Sequence, residues 1–411
     1  MRRLTRVVAL LMLFLLLSAQ AEPMATVPPD EPMFGAGMAT VPPDELLTNA
    51  DMPTAPPDEE ILDVPLRRAV IRAVGDVMSH DRQLRYARRS DGSYDYHPQY
   101  ALAADSLAAA DYTIANLETS IGQVGGQAYS GFPLFNAPEA MLDALKDAGV
   151  DFLTLANNHM LDRRFAGMCQ TADRVEAWGF AHGGSNRTPE EREVPVVVEV
   201  NGIAIGFICC TAGTNGMEGG SPEARSYGVN YLRDMDWIAE AAKLRAAGAE
   251  VVIAVVHWDY EYQRTPSAGT VATAKDMIAA GVDVILGSHP HVVQPVEYLT
   301  VEADGGARTG LVAYSLGNFC SNQVKPYTNA GIILQFTLLE DQQGGIQVRD
   351  AAYVPTFCWR HGGDDGIQVL PSLKHADDPP AGMPLYVAND MYVSAKELRK
   401  LIGAEIAELK E

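Results

Sequence analysis

Cysteine is scarce in this 411-residue chain: there are five, and none stands in a Cys-x-x-Cys spacing. That spacing is what a zinc ribbon needs, so a ribbon is excluded. Cys209 and Cys210 lie in an apolar strand pattern, where neighbours face opposite sides, and read as buried thiols. In an exported chain one disulfide stays open as the alternative. Positive charge is short as well, with 31 Lys and Arg against 53 Asp and Glu and a net charge of −22. A surface of that sign excludes general affinity for nucleic acid or for an anionic membrane face. Long hydrophobic runs are missing beyond the start, where Val7 to Leu17 covers about eleven residues and a bilayer span needs roughly 20.

That run follows Arg2, Arg3 and Arg6 and precedes Ala19 and Ala21, the pattern of a secretory signal cut after Ala21. An uncleaved anchor is the other reading of 1–21. Both place the protein outside the cytoplasm, secreted or on the extracellular face of the membrane or wall. The next segment, 22–66, repeats itself. Thr26-Val27-Pro28-Pro29-Asp30-Glu31 returns as Thr40-Val41-Pro42-Pro43-Asp44-Glu45 and again as Thr54-Ala55-Pro56-Pro57-Asp58-Glu59. Paired prolines favour an extended backbone and the acids repel one another, so this is expected to be a disordered, semi-stiff spacer. An inert leader is the alternative.

From about Arg67 apolar runs of strand length alternate with helical patterns closed by glycine. Ala69 to Val74, Tyr112 to Leu117, Phe152 to Ala156, Ile203 to Cys209, Val251 to Val256, Val284 to Leu286 and Leu311 to Leu316 read as strands. Helices are predicted to stop at Gly149, Gly179, Gly248 and Gly281. The alternation predicts an α/β domain over 67–360 with a largely parallel sheet. Ile332 to Leu339 and Ile346 to Val354 are expected to complete a second sheet. His361 to Pro384 reads as loop and Ser394 to Leu409 as an amphipathic helix, an accessory region over 361–411.

Five of the strand patterns end in residues of metal-ligand type. Asp76 follows Val74, Glu118 follows Leu117, Asn157, Asn158 and His159 follow Ala156, His257 follows Val256, and His289 and His291 follow Leu286. In open parallel sheets the functional crevice lies beyond the carboxyl ends of the strands, so these residues are expected to converge on one edge. Singly each has a bland explanation, a turn Asp or a hydrogen-bonded histidine. Together they take four of nine histidines to strand ends. Imidazole, carboxylate and amide oxygen without thiolate suit a divalent ion such as Mn, Fe, Zn or Mg, one or two of them. A pair of such ions could grip a phosphate oxygen and acidify a water.

Six ordered blocks then carry a resemblance: Gly75-Asp76-Val77-Met78; Asn116-Leu117-Glu118; Ala156-Asn157-Asn158-His159 with Asp162; His257-Trp258 with Glu261-Tyr262; Gly287-Ser288-His289-Pro290-His291 with Gln294-Pro295; and Ser315-Leu316-Gly317-Asn318-Phe319. Over Arg68 to Pro355 the chain resembles the CapA family of capsule and poly-gamma-glutamate synthesis. That family is similar in fold to the calcineurin-like metallophosphoesterases, a four-layer α/β sandwich with a metallophosphatase-type site. The resemblance implies Asp76, Glu118, Asn158, His257, His289 and His291 as metal ligands and His159 with Asp162 as catalytic residues. Asn157 and Gln294 are expected to contact substrate, and Glu261, four residues beyond His257, either does so too or is a solvated loop carboxylate. Two positions depart from the metallophosphoesterase pattern. Met78 stands where Asp-x-His would carry imidazole, with His80 or Asp81 as substitutes, and Glu118 is one methylene longer than Asp. The function so implied is metal-dependent hydrolysis of a phosphate or related ester, on a capsular polymer or phosphorylated envelope precursor, with membrane proteins of polymer synthesis as partners. A non-catalytic assembly or export factor with a degenerate site is the alternative, and a stalked surface binding module a third.

Overall fold

Strand β1 (Arg68–Val77) reads RAVIRAVGDV, and its alternation decides which way each side chain goes. Ala69, Ile71 and Ala73 point into a core shared with other strands, while Val74 and Val77 face a layer of helices. The computed structural model to which β1 belongs describes residues 66–362 and 366–411. The expected signal segment and all but the last residue of the repeat linker lie outside the described residues. No helix among the described residues is long and apolar enough to cross a membrane.

From β1 the chain adds β2 (Tyr112–Leu117), β3 (Phe152–Thr154) and β4 (Ala181–Gly183), each parallel to the last. It then builds a second sheet from β5 (Val196–Val200), β6 (Ile203–Thr211), β7 (Val251–His257), β8 (Val284–Ser288), β9 (Val296–Ala303) and β10 (Gly306–Ala313), in the order β5-β6-β7-β8-β10-β9. It returns to the first sheet with β11 (Asn318–Cys320), β12 (Ala330–Glu340), β13 (Ile346–Arg360), β14 (Ile367–Pro371) and β15 (Ala407–Glu408). The order there is β14-β13-β12-β1-β2-β3-β4, with β11 beside β1 and β15 beside β13.

The two sheets face each other across one apolar core. Ile71, Ile114, Phe152, Leu334 and Phe336 meet Ile205, Phe207, Ile253, Val255 and Leu311. Phe152 and Phe207, one from each sheet, stack with centroids 4.0 Å apart. Each such ring, fully buried, contributes about 1.5–3 kcal/mol through lost apolar surface. Helices Ala140–Asp147 and Arg164–Ala177 cover the outer face of the first sheet. Helices Trp237–Ala246 and Ala268–Ala279 cover that of the second. All four stop two residues before the expected glycines, which adopt positive φ. The result is helix, sheet, sheet, helix, the four-layer α/β sandwich expected.

Three expectations need correction. The hairpin of β12 and β13 does not complete the second sheet: β12 pairs antiparallel with β1, from Arg68 opposite Leu339 to Ala73 opposite Leu334. The first sheet had an open β1 edge, and Leu334, Phe336 and Leu338 bury there against the shared core. The stretch read as loop after His361 contains β14 and a helix, Ser372–Asp377. The terminal helix spans Leu385–Leu398 rather than Ser394 to Leu409. Beyond it Gly403 N bonds Val296 O at 2.8 Å and Ala407–Glu408 pairs with β13, so the backbone leaves the helix for the sheets. Leu398, Ile402 and Ile406 still reach the shared core, so the apolar spacing reported burial and not helix.

Two glycines fix the geometry at the carboxyl ends. The β1–β2 register slips between Val74 and Asp76, so Gly75 is the extra residue of a bulge. A Cβ at Gly75 would lie 1.9 Å from the Gly317 carbonyl oxygen, and one at Gly287 would lie 2.0 Å from that of Tyr314. Both neighbours are backbone and cannot swing away. Gly287→Ala is therefore expected to destabilise the protein by about 3 kcal/mol, at the upper end of overpacking costs, read as a lower midpoint in chemical denaturation. An unchanged midpoint would mean that β8 and β10 can part at no cost.

All five cysteines are free, and Cys209, Cys210, Cys320 and Cys358 are buried. Burial pushes the Cys209 thiol up to about 12. Since the thiolate is the reactive form, a single equivalent of alkylating reagent should enter the native protein, at the partly exposed Cys169. Peptide mapping after a short exposure checks this; label on Cys209 or Cys210 would contradict it.

Candidate metal centre

The carboxyl ends of β1, β2 and β3 supply acids and amides, and those of β7 and β8 supply imidazoles. Across the gap between the sheets they meet. The bulge at Gly75 turns Asp76 inward, where it is fully buried. Asp76 Oδ1 accepts from Asn116 Nδ2 at 2.8 Å and Oδ2 lies 2.9 Å from His291 Nδ1. His257 Nε2 lies 3.2 Å from Asn158 Oδ1, and its Nδ1 lies 3.0 Å from Ser288 Oγ. Glu118 is fully buried between them: Oε1 is 3.8 Å from His257 Nε2 and 3.9 Å from His291 Nε2.

Those last distances are too long for hydrogen bonds. Among the described residues neither oxygen of Glu118 has a hydrogen-bond partner, and neither has Nδ1 of His289. Native proteins rarely leave buried polar atoms in that state. Two donors that each bind a cation at roughly 2.1 Å can be up to about 4.2 Å apart, so the spacing round Glu118 suits an ion. Asp76, Glu118 and His291 form one such group with mutual distances within 4.8 Å, and Glu118, His257 and His289 form another. Glu118 is common to both.

The electrostatics agree. Burial and then the neighbouring charge of Asp76 push the Glu118 carboxyl well above the usual range. Burial acts on Asp76 in the same direction, but the hydrogen bond and charge of His291 with the bond from Asn116 outweigh it and hold Asp76 below its ordinary value. Burial, followed by the imidazoles of His289, His291 and His159, drives His257 well below the usual histidine value, and burial lowers His289 to about 4. Neutral imidazole with a free lone pair is the form that ligates. The backbone is strained here too: His289 has φ +95° and His291 φ +58°. Left-handed conformations cost non-glycine residues on the order of 1–3 kcal/mol each and cluster at functional sites.

His159 stands beside this group, 4% exposed. Its Nδ1 lies 2.8 Å from Asp162 Oδ2, which also accepts from Phe135 N at 2.7 Å. The Phe135 ring meets the imidazole edge-on at 4.6 Å. Asn157 is buried and spends its amide on Leu117 O at 2.8 Å and Asn116 Oδ1 at 3.2 Å, while its Oδ1 takes His159 N. It shapes the turn that carries Asn158 and His159. Gln294 is likewise fully buried, donating to Gln263 O at 2.9 Å and Asp259 Oδ2 at 3.3 Å. Glu261 is exposed, with its carboxylate close to His289 and His291. Neither His80 nor Asp81 belongs to any of the candidate ligand groups. Burial lowers His80 to about 4, and its ring lies against Gln83 and Phe135, while Asp81 Oδ1 takes Gly131 N.

Sequence reasoning missed Asn116, Ser288 and Asn318, whose Oδ1 is 3.1 Å from His291 Nδ1. All three lie inside the quoted motif blocks: Asn116 is two places from Glu118 and Ser288 one place from His289, whereas Asn318 has no ligand near it in sequence. A further group of Glu176, His182 and Glu191 lies apart. There Arg187 donates to Glu176 at 2.6 and 2.7 Å and to Glu191 at 2.6 Å, so a guanidinium already supplies the cation.

The capsule biosynthesis protein CapA of Bacillus anthracis is 30% identical over 50% of this chain and 48% of its own length. The PGA biosynthesis protein CapA of Bacillus subtilis is 27% identical over 58% and 61%. The chain thus spans about half the length of these curated relatives. Among solved structures, the NAD nucleotidase of Haemophilus influenzae covers 84% of this chain with 65% of its own, at 12% identity and a TM-score of 0.43. The profile of the bacterial capsule synthesis protein family, PGA_cap, matches residues 70–323, which run from β1 through every residue of the buried acid, amide and imidazole group. The chain belongs to that family.

Proposed function

We propose that this protein is an exported, metal-dependent hydrolase of a phosphate or related ester, acting on a capsular polymer or a phosphorylated precursor of the cell envelope. The observation that carries the reading is Glu118, a fully buried carboxylate with no partner on either oxygen, standing between two imidazoles. Asp76, Glu118, Asn158, His257, His289 and His291 would hold one or two divalent ions. Bound there, such ions supply Lewis-acid polarisation of a phosphoryl oxygen and a water of lowered pKa. His159 does the proton work: with Nδ1 on Asp162, its Nε2 is the nitrogen left to serve a leaving oxygen. The relatives' names in capsule and PGA synthesis support a polymer-linked substrate and partners among the proteins of polymer synthesis. The arginine-led apolar start of the sequence supports export.

Metal analysis of the purified protein and turnover of p-nitrophenyl phosphate test this. About two equivalents of transition metal and measurable hydrolysis are expected, both reduced by His289→Ala. A protein that takes up no metal and is indifferent to the substitution would overturn the proposal. Met78 favours a second reading, an assembly factor that keeps the fold: it leaves a thioether where related sites carry imidazole. Metal uptake without any ester turnover would select it.

A further inference from the structure

The two ligand groups that share Glu118 are unequal. One has four protein donors, because Asn158 Oδ1 lies 3.2 Å from His257 Nε2 and joins Glu118, His257 and His289. The other has only Asp76, Glu118 and His291. Two places beyond Asp76, Met78 is buried and offers sulfur, a poor donor for an ion chosen by carboxylate and imidazole. A third group shares His291 with this one and His289 with the other. A carboxylate oxygen of Glu261 lies within 4.8 Å of ligand nitrogens on both His289 and His291.

Exposed as it is, Glu261 is not free to wander. Its loop carries two residues in the left-handed region, Asp259 at φ +69° and Tyr262 at φ +64°. Such strain persists only where surrounding contacts impose it. Here they do. Tyr262 N bonds Pro290 O at 2.8 Å, between the two imidazoles, and the Tyr262 ring faces that of His291 at 6.0 Å. On the other side Asp259 Oδ2 accepts from Ser267 N at 2.9 Å and Gln294 Nε2 at 3.3 Å. Buried Gln294 also holds Gln263 O. The loop is therefore fastened before and after Glu261, and fastened to the turn that presents the imidazoles.

We propose that Glu261 is a metal ligand, the fourth protein donor to the ion held by Asp76, Glu118 and His291, in place of the imidazole that Met78 cannot supply. The assignment rests on the metal-centre reading above. It gives Gln294 a positioning role through the loop, and it makes the ion on this side the more accessible of the two, since its last ligand faces solvent.

Titration of Mn2+ into chelator-stripped full-length protein, followed by calorimetry, tests it. The unaltered protein is expected to show two binding steps. Glu261→Gln should weaken one at least tenfold and leave the other, and should change the visible absorption of the Co2+-loaded protein, which reports the ligand set. Tyr260→Phe, one place away on the same exposed loop, should bind Mn2+ as the unaltered protein does. Two unchanged steps in Glu261→Gln would overturn the assignment while leaving the metal centre standing. Equal weakening in Tyr260→Phe would also overturn it, since loop disturbance would then suffice. No Mn2+ binding by the unaltered protein would sink both.

Discussion

Glu118→Gln is expected to raise the thermal midpoint of the metal-free protein and, in the same protein, to remove the stabilisation that added Mn2+ confers. Glu118 is fully exposed to neither water nor partner: both oxygens are buried and unbonded, with Asp76 close by. A buried polar group left unsatisfied costs on the order of 1–3 kcal/mol, and an amide of the same shape carries no charge to be repelled. A ligand at a hundredfold its dissociation constant adds about 2.7 kcal/mol to the native state, which the variant should forfeit. The pH dependence has a definite sign. Burial and the charge of Asp76 raise the Glu118 pKa in the folded protein, so its contribution is fully present below the ordinary value of 4.5 and is lost as pH rises through the folded value. Asp76 works the other way: its pKa is depressed, and its contribution is lost as pH falls. The depressed histidines His80, His257 and His289 add stability to both proteins as pH rises, so thermal melts of metal-free protein from pH 4 to 8 should show the unaltered chain losing stability relative to Glu118→Gln as pH rises. A lower midpoint in the variant would mean that Glu118 already has a partner and is not held for an ion.

The same residue shows why much of this site was legible in the sequence. Ligand-type residues at the ends of apolar runs could be recognised because a strand's end is a local property, and the carboxyl ends of parallel strands share an edge whatever their order. Asp76, Glu118, Asn158, His257, His289 and His291 needed no knowledge of which strand lay beside which. The hairpin Ile332 to Leu339 with Ile346 to Val354 did need it. Its alternation is equally satisfied on either sheet, and only the open edge of β1 decides. At the carboxyl terminus Leu398, Leu401, Ile402 and Ile406 match a helical stripe, yet the backbone after Arg399 finds sheet partners in Val296 and β13. Periodicity tells which side chains are buried and is silent on which hydrogen bonds the backbone will take. Asn157 and Gln294 illustrate the corresponding limit for polar residues. Their motif blocks do not tell that their amide nitrogens are engaged with protein acceptors that lie far away in sequence.

The other large effect falls on His159 and Asp162. His159→Ala is expected to lower kcat for phosphate-ester turnover by about 10²–10⁴-fold, the usual worth of a positioned general acid, with metal content unchanged. His159 is not in either ligand group, so the two readouts separate proton transfer from metal binding. Asp162→Asn acts one step further out. Asp162 Oδ2 takes both Phe135 N at 2.7 Å and His159 Nδ1 at 2.8 Å, a pair that needs acceptor character in two directions. Both bonds end on one oxygen, so an asparagine can keep them with its carbonyl, and what it removes is the carboxylate charge behind the imidazole. With Phe135 packed edge-on at 4.6 Å, the ring still has its stop on one side. The expected loss is therefore smaller, about 10²-fold in kcat with KM little changed, because the carboxylate that orients the imidazole is gone. Equal loss of KM and metal in Asp162→Asn would instead make Asp162 a strut of the whole carboxyl-end rim, and His159 would need another orienting group.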